Sequence, residues 1–386
     1  MLKVFGDKII WSIAILLFIA SVLLVYSSGG SDSIAGHVTH LIMGLGVIFI
    51  FSRFNYRYFT NLSTLLLVFS AILLMYLIIN PYDRSGILAS RWIKLGFVSF
   101  QPSELAKYSL ILFLCRNLVV YKDILDSFKN CFLYILLPSL SICLLILPSN
   151  LSTTILIVCV VFCLVFLSGY PLKSFFKYLI LPLCFLAMLF FSVLCLNDSI
   201  TRDLGRVNTW KHRICQLVVE KDINSPPLSW IACPDDLDNI ARGNFQIQKA
   251  LSAIHRGNVI GKGAGKSIYK NILPEAKSDF IYTILLEEYG LVGGCFILFL
   301  YLLFYQRILI LSIKSKDNFS SLLLLGLGTI IVLQALLHMA VSVNLIPVTG
   351  QTLPLVSKGG SSVWVTSLAF GIILNISHQV NNQDKN

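Results

Sequence analysis

The sequence predicts an all-α integral membrane protein with about ten transmembrane helices and a large extracytoplasmic loop between spans 7 and 8. Of its 386 residues, 56% are hydrophobic and only 13% are charged, which is too little charge for the surface of a soluble domain. Apolar runs long enough to cross a bilayer recur along the chain, and one long polar, basic stretch interrupts them. These observations predict spans 1–7 in residues 1–197, the large loop in residues 198–279 and spans 8–10 in residues 280–386.

The spans are identified as runs of roughly 17–25 mostly apolar residues, the length that crosses the hydrocarbon core. The ten runs lie near residues 9–27, 38–52, 61–79, 104–121, 131–148, 151–168, 176–197, 280–305, 320–343 and 362–380. Only Pro148, Ser149 and Asn150 separate the fifth from the sixth, which predicts a tight hairpin at one membrane face. The first run lacks a small-residue cleavage pattern before the polar turn at residues 27–30, so we expect it to be retained as a span.

Basic residues concentrate in short connections that alternate along the chain, which is the positive-inside pattern of a multi-pass membrane protein. They are Lys3, Lys8, Arg53, Arg57, Lys122, Lys129, Lys173, Lys177, Arg307, Lys314 and Lys316. With an even number of spans, both termini are expected in the cytoplasm, and the loops at residues 80–103, 198–279 and 344–361 then face outward together. The net charge of +11 is explained in good part by this topology, so we expect a membrane environment and no nucleic-acid partner.

Eight of the ten cysteines lie in or beside apolar runs, where cysteine behaves as a small hydrophobic residue. Cys215 and Cys233 lie in the large loop, where an extracytoplasmic environment would permit a disulfide. The sequence leaves their pairing open. No Cys/His spacing predicts a metal site.

The large loop contains one amphipathic segment, at residues 245–254. Phe245, Ile247, Leu251 and Ile254 fall mostly on one face of a helix there. Two alternatives stay open, a helix that lies on the membrane surface and a small helix packed inside the loop.

A glycine-rich stretch at residues 261–267 resembles a phosphate-binding loop only superficially. Its spacing fails because residue 260 is isoleucine, and no strand pattern precedes it. Lys262 and Lys266 are therefore interpreted as general anion contacts or as a solvated face.

Glu104 and Lys107 are ionisable residues inside the fourth span, where each costs about 2.5–3.5 kcal/mol on insertion scales. Because they are three residues apart, they lie on one helical face and can neutralise each other. Two interpretations stay open. The pair only allows the helix to insert into the membrane, or it does so and also orients a third group. Glu287 and Glu288 stand two turns inside the eighth span, and we favour structural pairing for them.

Asp279 lies where the large loop re-enters the membrane, with Glu275 four residues before it. A helix start favours negative charge because its first N–H groups lack partners. Ser278 or Asp279 could therefore cap the helix. From the residues alone, a helix-capping role and a catalytic role for the Asp279 carboxylate are about equally supported.

The outward loop at residues 344–361 is rich in glycine, proline and hydroxyl side chains. Irregular backbone at membrane depth is tolerated only where it is buried in protein or lines a cavity. A plain re-entrant turn is the weaker alternative because the segment is long and partly apolar. We expect Ser357, Lys358 and Ser361 to lie near bound substrate.

Four motifs in a fixed order resemble the SEDS family, the polytopic glycosyltransferases of cell shape, elongation and division. They lie at residues 91–107, 257–265, 273–290 and 347–362. The ordered set is more specific than any one motif, and residues 350–354 and 262–266 are closer to the division member than to the elongation member. Lys277, Lys358 and Asn150 depart from the usual family residues, so the hairpin at Asn150 is assigned no direct role.

The resemblance implies polymerisation of lipid II into glycan strands outside the bacterial cytoplasmic membrane, at the division septum. It implies a class B penicillin-binding protein and other division proteins as partners, and an essential role for Asp279. The alternatives are an elongation-type polymerase, a flippase for lipid-linked precursors and a non-enzymatic division scaffold. The flippase is disfavoured because no inverted repeat is evident and the candidate residues gather at one membrane face.

The implied reaction needs one base, for which Asp279 is the candidate, and positive charge to hold the departing diphosphate. The candidate substrate contacts are Arg91, Glu104, Lys107, Arg206, Arg213, Lys262, Lys266, Glu275, Ser357, Lys358 and Ser361. No cofactor is predicted, although a divalent cation bridging Asp279 and the diphosphate stays open.

Overall fold

A computed structural model of the protein describes residues 5–80, 91–95, 98–125, 127–170, 237–346 and 348–383 as a bundle of long helices with one short hairpin. In chain order the elements are α1 (Lys8–Arg53), α2 (Arg57–Ile79), β1 (Ile93–Leu95), β2 (Val98–Phe100), α3 (Pro102–Val120), α4 (Phe128–Ile146), α5 (Leu151–Leu167), α6 (Leu237–Gly257), α7 (Ile281–Lys314), α8 (Asn318–Ser342) and α9 (Gly360–Gln383). Short 3₁₀ turns lie at Lys122–Ile124 and Tyr269–Asn271, and α4 contains a π-helical stretch at Phe132–Leu136.

Within the described residues, seven helical stretches are long and apolar enough to cross a membrane. They are Lys8–Gly30, Ile34–Arg53, Arg57–Ile79, Phe128–Ile146, Ile281–Lys314, Asn318–Ser342 and Gly360–Asn382. These match seven of the predicted runs, and α3 and α5 match the fourth and sixth, so the multi-pass helical architecture is confirmed. The predicted span at residues 176–197 lies outside the described residues, as do Arg206, Arg213, Cys215 and Cys233.

The eighth span is longer than the sequence predicted. α7 continues to Lys314 instead of ending near residue 305, so placing Arg307 in a connection was wrong. Its guanidinium lies 2.6 Å from the Asp7 carboxylate, and this pairing makes a charge tolerable within the helix.

Both described ends of the chain lie at the same end of the bundle. The N–H of Asp7 donates to Ser377 Oγ, near the end of α9, at 2.9 Å. Gly360, where α9 begins, is about 26 Å away along the helix axis at 1.5 Å per residue. The loop between α8 and α9 therefore lies at the opposite end of the bundle.

α8 and α9 are the most deeply buried of the long helices. α8 packs against α3, α5 and α7, while α1 packs along α9 and α2 along α3. The outer face of α2 leaves Leu65, Ile72 and Ile79 exposed. A continuous exposed apolar face of this kind suits contact with lipid.

α7 is broken at Gly290, whose φ of 66° and ψ of −166° are open only to glycine. The backbone of residues 258–263 fills the break. The N–H of Lys262 donates to the carbonyl of Glu287 at 3.0 Å, and the N–H of Leu291 donates to the carbonyl of Asn258 at 3.1 Å. The break therefore leaves its backbone groups paired, and it fixes the end of the large loop to α7.

α6 contains the predicted amphipathic segment and packs against α7. Ile247, Ala250 and Ala253 are buried, whereas Phe245 and Leu251 are exposed. The packed-helix alternative is thus correct for one side of α6. The predicted apolar face does not pack as a whole. The stripe formed by Ile247, Ala250 and Ala253, spaced three residues apart, is the part that is buried.

Candidate active site

A cavity of about 250 Å³, here called the mouth cavity, lies where three loops meet. Its lining residues are Arg91, Trp92, Gln101, Glu104, Glu275, Ser278, Asp279, Gly350, Gln351, Thr352 and Lys358. They come from the β-hairpin region, from the turn before α7 and from the loop before α9. The described parts of the three loops predicted to face outward therefore converge, at the end of the bundle opposite Asp7 and Ser377.

The β-hairpin positions the first of these loops. β1 and β2 pair antiparallel with Ile93 opposite Phe100, and β2 contacts α9. α3 follows directly, with Pro102 in its first turn, where the missing N–H carries no penalty. This arrangement holds Arg91 and Gln101 on either side of the hairpin, at the rim of the cavity.

Asp279 is half-buried and lies two residues before α7 begins. Phe280 occupies the N-cap position, and no side-chain capping hydrogen bond is made there. The N–H groups of Ser278 and Asp279 instead donate to the carbonyl of Glu275 at 3.1 and 3.0 Å, which forms a tight turn. This turn directs the Asp279 side chain to the cavity, so the capping alternative does not describe its position.

Arg91 and Asp279 both approach the backbone at Gly350. A Cβ atom on this residue would lie 2.8 Å from Arg91 Nη1 and 3.4 Å from Asp279 Oδ2. Glycine at φ 67° permits that approach. The position of the Arg91 guanidinium is held by a hydrogen bond, because its Nε donates to the carbonyl of Ser149 at 2.9 Å.

Lys358 is a second cation of the mouth cavity. Its N–H donates to the carbonyl of Lys277 at 2.9 Å, which ties the loop before α9 to the turn before α7. Partial burial lowers the pKa of Lys358, and the positive charge of Lys277 lowers it further, whereas the charge of Glu275 opposes the shift.

Ser357 and Ser361 hold these loops together. Ser357 Oγ donates to the carbonyl of Ser278 at 2.7 Å and accepts from the N–H of Leu353 at 2.8 Å. Ser361 Oγ accepts from the N–H of Gln101 at 3.1 Å. Both serines are buried, so they position the cavity walls.

Glu104 and Lys107 form the predicted pair, and the pair orients a third group. Lys107 is fully buried, and its Nζ lies 2.8 Å from both carboxylate oxygens of Glu104. The same Nζ donates to Gln334 Oε1 at 2.6 Å, and Gln334 Nε2 donates to the carbonyl of Thr352 at 2.9 Å. The buried ammonium of Lys107 is thereby linked through Gln334 to Thr352, which lines the mouth cavity.

The hairpin between α4 and α5 supports the site from outside it. Asn150 caps α5 by accepting from the N–H of Thr153 at 3.3 Å. Thr153 Oγ1 accepts from Gln351 Nε2 at 2.7 Å. Together with the bond from Arg91 to Ser149, this contact positions two cavity residues through the hairpin.

Glu287 and Glu288 are buried and shape the loop that ends at Asp279. Glu287 accepts from Ser267 Oγ and from the N–H of Ile268 at 3.1 Å, and it lies 3.7 Å from Arg256 Nε. Glu288 accepts from Ser27 Oγ and from the N–H of Ser267 at 3.3 Å. These contacts confirm the structural pairing favoured from the sequence.

The remaining candidates fall in different places. Glu275 is exposed at the rim, where its Oε2 accepts from Ser278 Oγ at 2.8 Å. Lys262 and Lys266 are exposed and do not line the mouth cavity. The described residues contain no group of three His, Cys, Asp or Glu side chains placed to hold a metal ion, and a cation bridging Asp279 and diphosphate stays a prediction.

Sequence reasoning missed four uncharged side chains of the site, Trp92, Gln101, Gln351 and Thr352. Each falls inside a motif that carries the family resemblance. That location was the available signal, since nothing in an isolated Gln or Thr distinguishes it from a surface residue.

A family model described as "Cell cycle protein", for the FtsW, RodA and SpoVE group, matches residues 7–382. The chain belongs to this family. The resemblance inferred from the four motifs is therefore confirmed, since this is the SEDS family.

Named family members match this chain over nearly its full length. The probable peptidoglycan glycosyltransferase FtsW of Buchnera aphidicola is 29% identical over 98% of this chain and 95% of its own. The stage V sporulation protein E of Bacillus subtilis is 30% identical over 97% of this chain and 98% of its own.

A solved chain from a peptidoglycan synthase complex that coordinates polymerization and crosslinking has the same fold. It superposes with a TM-score of 0.69 at 24% identity and covers 98% of this chain and 99% of its own. The predicted fold class is thereby confirmed.

Proposed function

We propose that this protein is a peptidoglycan glycosyltransferase that polymerises lipid II into glycan strands during cell division. The family membership and the named relatives support this activity. The observation that carries it is that Asp279 lines a single cavity together with two cations, Arg91 and Lys358.

The reaction joins two lipid-linked sugars. A sugar hydroxyl of one unit attacks the anomeric carbon of the other, a new C–O bond forms, and the bond to the polyprenyl diphosphate breaks. Asp279 accepts the hydroxyl proton. A diphosphate is already a competent leaving group, so a second carboxylic acid of the kind that glycosidases use is unnecessary.

Positive charge must meet the departing diphosphate as its negative charge develops. Arg91 supplies a planar fork suited to two phosphate oxygens, and its anchor on Ser149 holds that fork before substrate arrives. Lys358 supplies a second cation on the opposing loop. Glu104 and Lys107 act behind them, through Gln334 and Thr352, as positioning residues.

The arrangement of the chain supports an extracytoplasmic site in the cytoplasmic membrane. The described ends of the chain, near Asp7 and Ser377, lie at one end of the bundle and the mouth cavity at the other. With the termini in the cytoplasm, as the basic connections predict, the cavity opens outside, at the division septum. A class B penicillin-binding protein, with other division proteins, is the expected partner, and the similarity to a chain of a synthase complex supports that expectation.

Fluorescent lipid II in proteoliposomes tests the proposal. Purified protein, with and without a class B penicillin-binding protein, should convert lipid II to polymer that is resolved by gel electrophoresis. Movement of the label across the bilayer without polymer would instead support the flippase alternative. Complementation of division-defective and elongation-defective strains separates the division role from that of an elongation-type polymerase.

A further inference from the structure

A second cavity, of about 770 Å³, lies beside the mouth cavity and has no part in the mechanism above. It is here called the lateral cavity. Its walls are the end of the first half of α1 at residues 26–30, the loop at residues 264–271, and the side chains of Lys277 and Tyr289. Lys270 and Lys277 are the cations among its lining residues.

The two cavities share a wall, which is the turn at residues 275–279. Glu275, at φ 55°, starts this turn, and its carbonyl accepts from the N–H groups of Ser278 and Asp279. Glu275, Ser278 and Asp279 line the mouth cavity, whereas Lys277 lines the lateral cavity. Because Lys277 and Asp279 are two residues apart, their Cα atoms lie within about 7 Å of each other.

The cations of the lateral cavity are available to an anion. Lys270 Nζ donates to the carbonyl of Gly265 at 2.9 Å, which holds it at the cavity wall. Of the carboxylates that the structure describes, none forms an ion pair with Lys270 or Lys277. The charge of Lys277 also acts across the shared wall on Lys358, so an anion bound on either side relieves a like-charge repulsion.

The other side of the lateral cavity is apolar and adjoins the outer surface of α1. Leu23 and Tyr26 line it and are 51% and 57% exposed. With Ile15 and Ile19 they form an exposed stripe spaced three to four residues apart along the helix. In a membrane this stripe faces lipid tails, so the lateral cavity presents cations beside a path for a hydrocarbon chain.

We propose that the lateral cavity binds the diphosphate of the second polyprenyl-diphosphate-linked sugar, the one whose hydroxyl attacks. This inference rests on the proposed function, because that reaction brings two lipid-linked diphosphates to one carboxylate. The departing diphosphate needs fixed cations where its charge develops, which the mouth cavity supplies. The other diphosphate only has to be held so that its sugar reaches Asp279 across the shared wall.

The test counts bound lipid. Asp279→Asn protein, which should leave substrate unreacted, is titrated with lipid II and examined by native mass spectrometry. The expected count is two lipid II molecules per protein, falling to one when Lys270→Ala and Lys277→Ala are added. In protein that retains Asp279, the same two changes should raise the KM for lipid II about tenfold, with a smaller effect on kcat.

Matched variants separate site chemistry from loss of fold or of loop charge. Lys249→Ala removes a lysine of α6 outside both cavities and should leave the count and KM unchanged. Lys270→Arg with Lys277→Arg keeps both cations and should restore the second bound lipid. An unchanged count and an unchanged KM in the double alanine variant would overturn the inference.

Failure of the proposed function is distinguishable from failure of this inference. Undecaprenyl diphosphate carries no sugar and cannot be polymerised, so its binding count does not depend on catalysis. A wild-type protein that makes no polymer, yet loses one bound undecaprenyl diphosphate in the double alanine variant, would refute the polymerase activity and uphold the site. A count that stays the same in both proteins would refute the site.

Discussion

Two carboxylates near the start of α7, Asp279 and Glu287, are held by the protein in opposite ways. Asp279, just before the helix, is half-buried and lines a cavity with Arg91 and Lys358. Glu287, two turns further on, is fully buried, and its oxygens accept from Ser267 and from backbone N–H groups of the loop. Both residues are acidic and lie within eight positions of each other, so residue type and sequence position alone do not distinguish their roles.

The difference lies in what each carboxylate contacts. The acceptors of Glu287 are used by the fold, so its charge stabilises the loop and is not available to a ligand. Asp279 faces a cavity and lies beside cations, where it can exchange a proton with a bound hydroxyl. Five predictions test whether this division of roles holds.

Replacing Asp279 with asparagine should have the largest effect. The amide keeps the shape of the carboxylate but cannot accept the hydroxyl proton, so lipid II polymerisation should fall by about 10²–10⁴-fold. Gel analysis of polymer made by purified protein measures the loss. Asp123→Asn, an exposed carboxylate beyond the far end of α3, is the matched control, and near-normal polymer from Asp279→Asn would exclude this residue as the base.

Replacing Lys107 with alanine should destabilise the bundle. Glu104 would then be a buried carboxylate without its cation, which costs about 3–5 kcal/mol. The yield of folded protein and its thermal unfolding midpoint should both fall. The charge swap Glu104→Lys with Lys107→Glu should recover folding but not activity, because Gln334 would lose the donor that orients it. Recovery of both would reduce the pair to an insertion device.

Replacing Gly290 with alanine should loosen the loop that carries Asp279. The residue adopts a conformation that costs other residues about 1–3 kcal/mol, and its new Cβ would clash with the carbonyl oxygen of Val259. Limited proteolysis of residues 258–275 should accelerate. Gly46→Ala, on the open side of α1, meets no atom within 4 Å and should cleave like wild type; equal rates in both variants would show that the break does not anchor the loop.

Replacing Glu287 with glutamine should lower the stability of the protein more than its catalytic activity. The amide turns one acceptor into a donor facing other donors, a mismatch of about 1–3 kcal/mol. The thermal unfolding midpoint should fall, while the polymer made per folded molecule stays within a few-fold of wild type. A loss of activity as complete as that of Asp279→Asn, at unchanged stability, would contradict the structural role.

Replacing Lys358 with arginine should produce the smallest effect, a change in the alkaline limb of the pH–rate profile. Burial and the charge of Lys277 lower the pKa of Lys358 from 10.5, so wild type loses this cation at lower pH than an ordinary lysine would. Arginine stays charged throughout. Activity of the variant should therefore persist to higher pH, and identical alkaline limbs would indicate that Lys358 does not hold the diphosphate.

Much of the architecture could be predicted because lipid imposes long apolar runs. α1 is broken at Gly30, whose φ of 63° and ψ of −169° are non-helical, and the sequence located this break from the polar residues 27–30. The run before Pro148 ended close to the predicted position, at Ile146. The length of α7 was underestimated because Arg307 resembles a connection residue, and only its contact with Asp7, 300 positions away, explains it. Such a partner leaves no local trace in sequence.

The candidate site, like the architecture, could be predicted from the sequence only in part. Asp279 could be selected because it stands where the polar loop meets a helix start and falls in a family motif. Arg91 and Lys358 could be selected because a departing diphosphate needs positive charge. Lys107 could be paired with Glu104 from spacing alone, but Gln334 could not, since it is 227 positions distant. The positioning roles of Ser357 and Ser361 likewise depend on which loops meet, which one sequence does not reveal.

The most direct test measures polymer yield and thermal unfolding midpoint on the same purified preparations of Asp279→Asn and Glu287→Gln. The first variant should lose polymerisation while keeping the wild-type midpoint, and the second should lower the midpoint while retaining activity per folded molecule. If both variants lose activity and stability in parallel, or if Asp279→Asn still makes polymer, the assignment of chemistry to Asp279 and of structure to Glu287 is wrong.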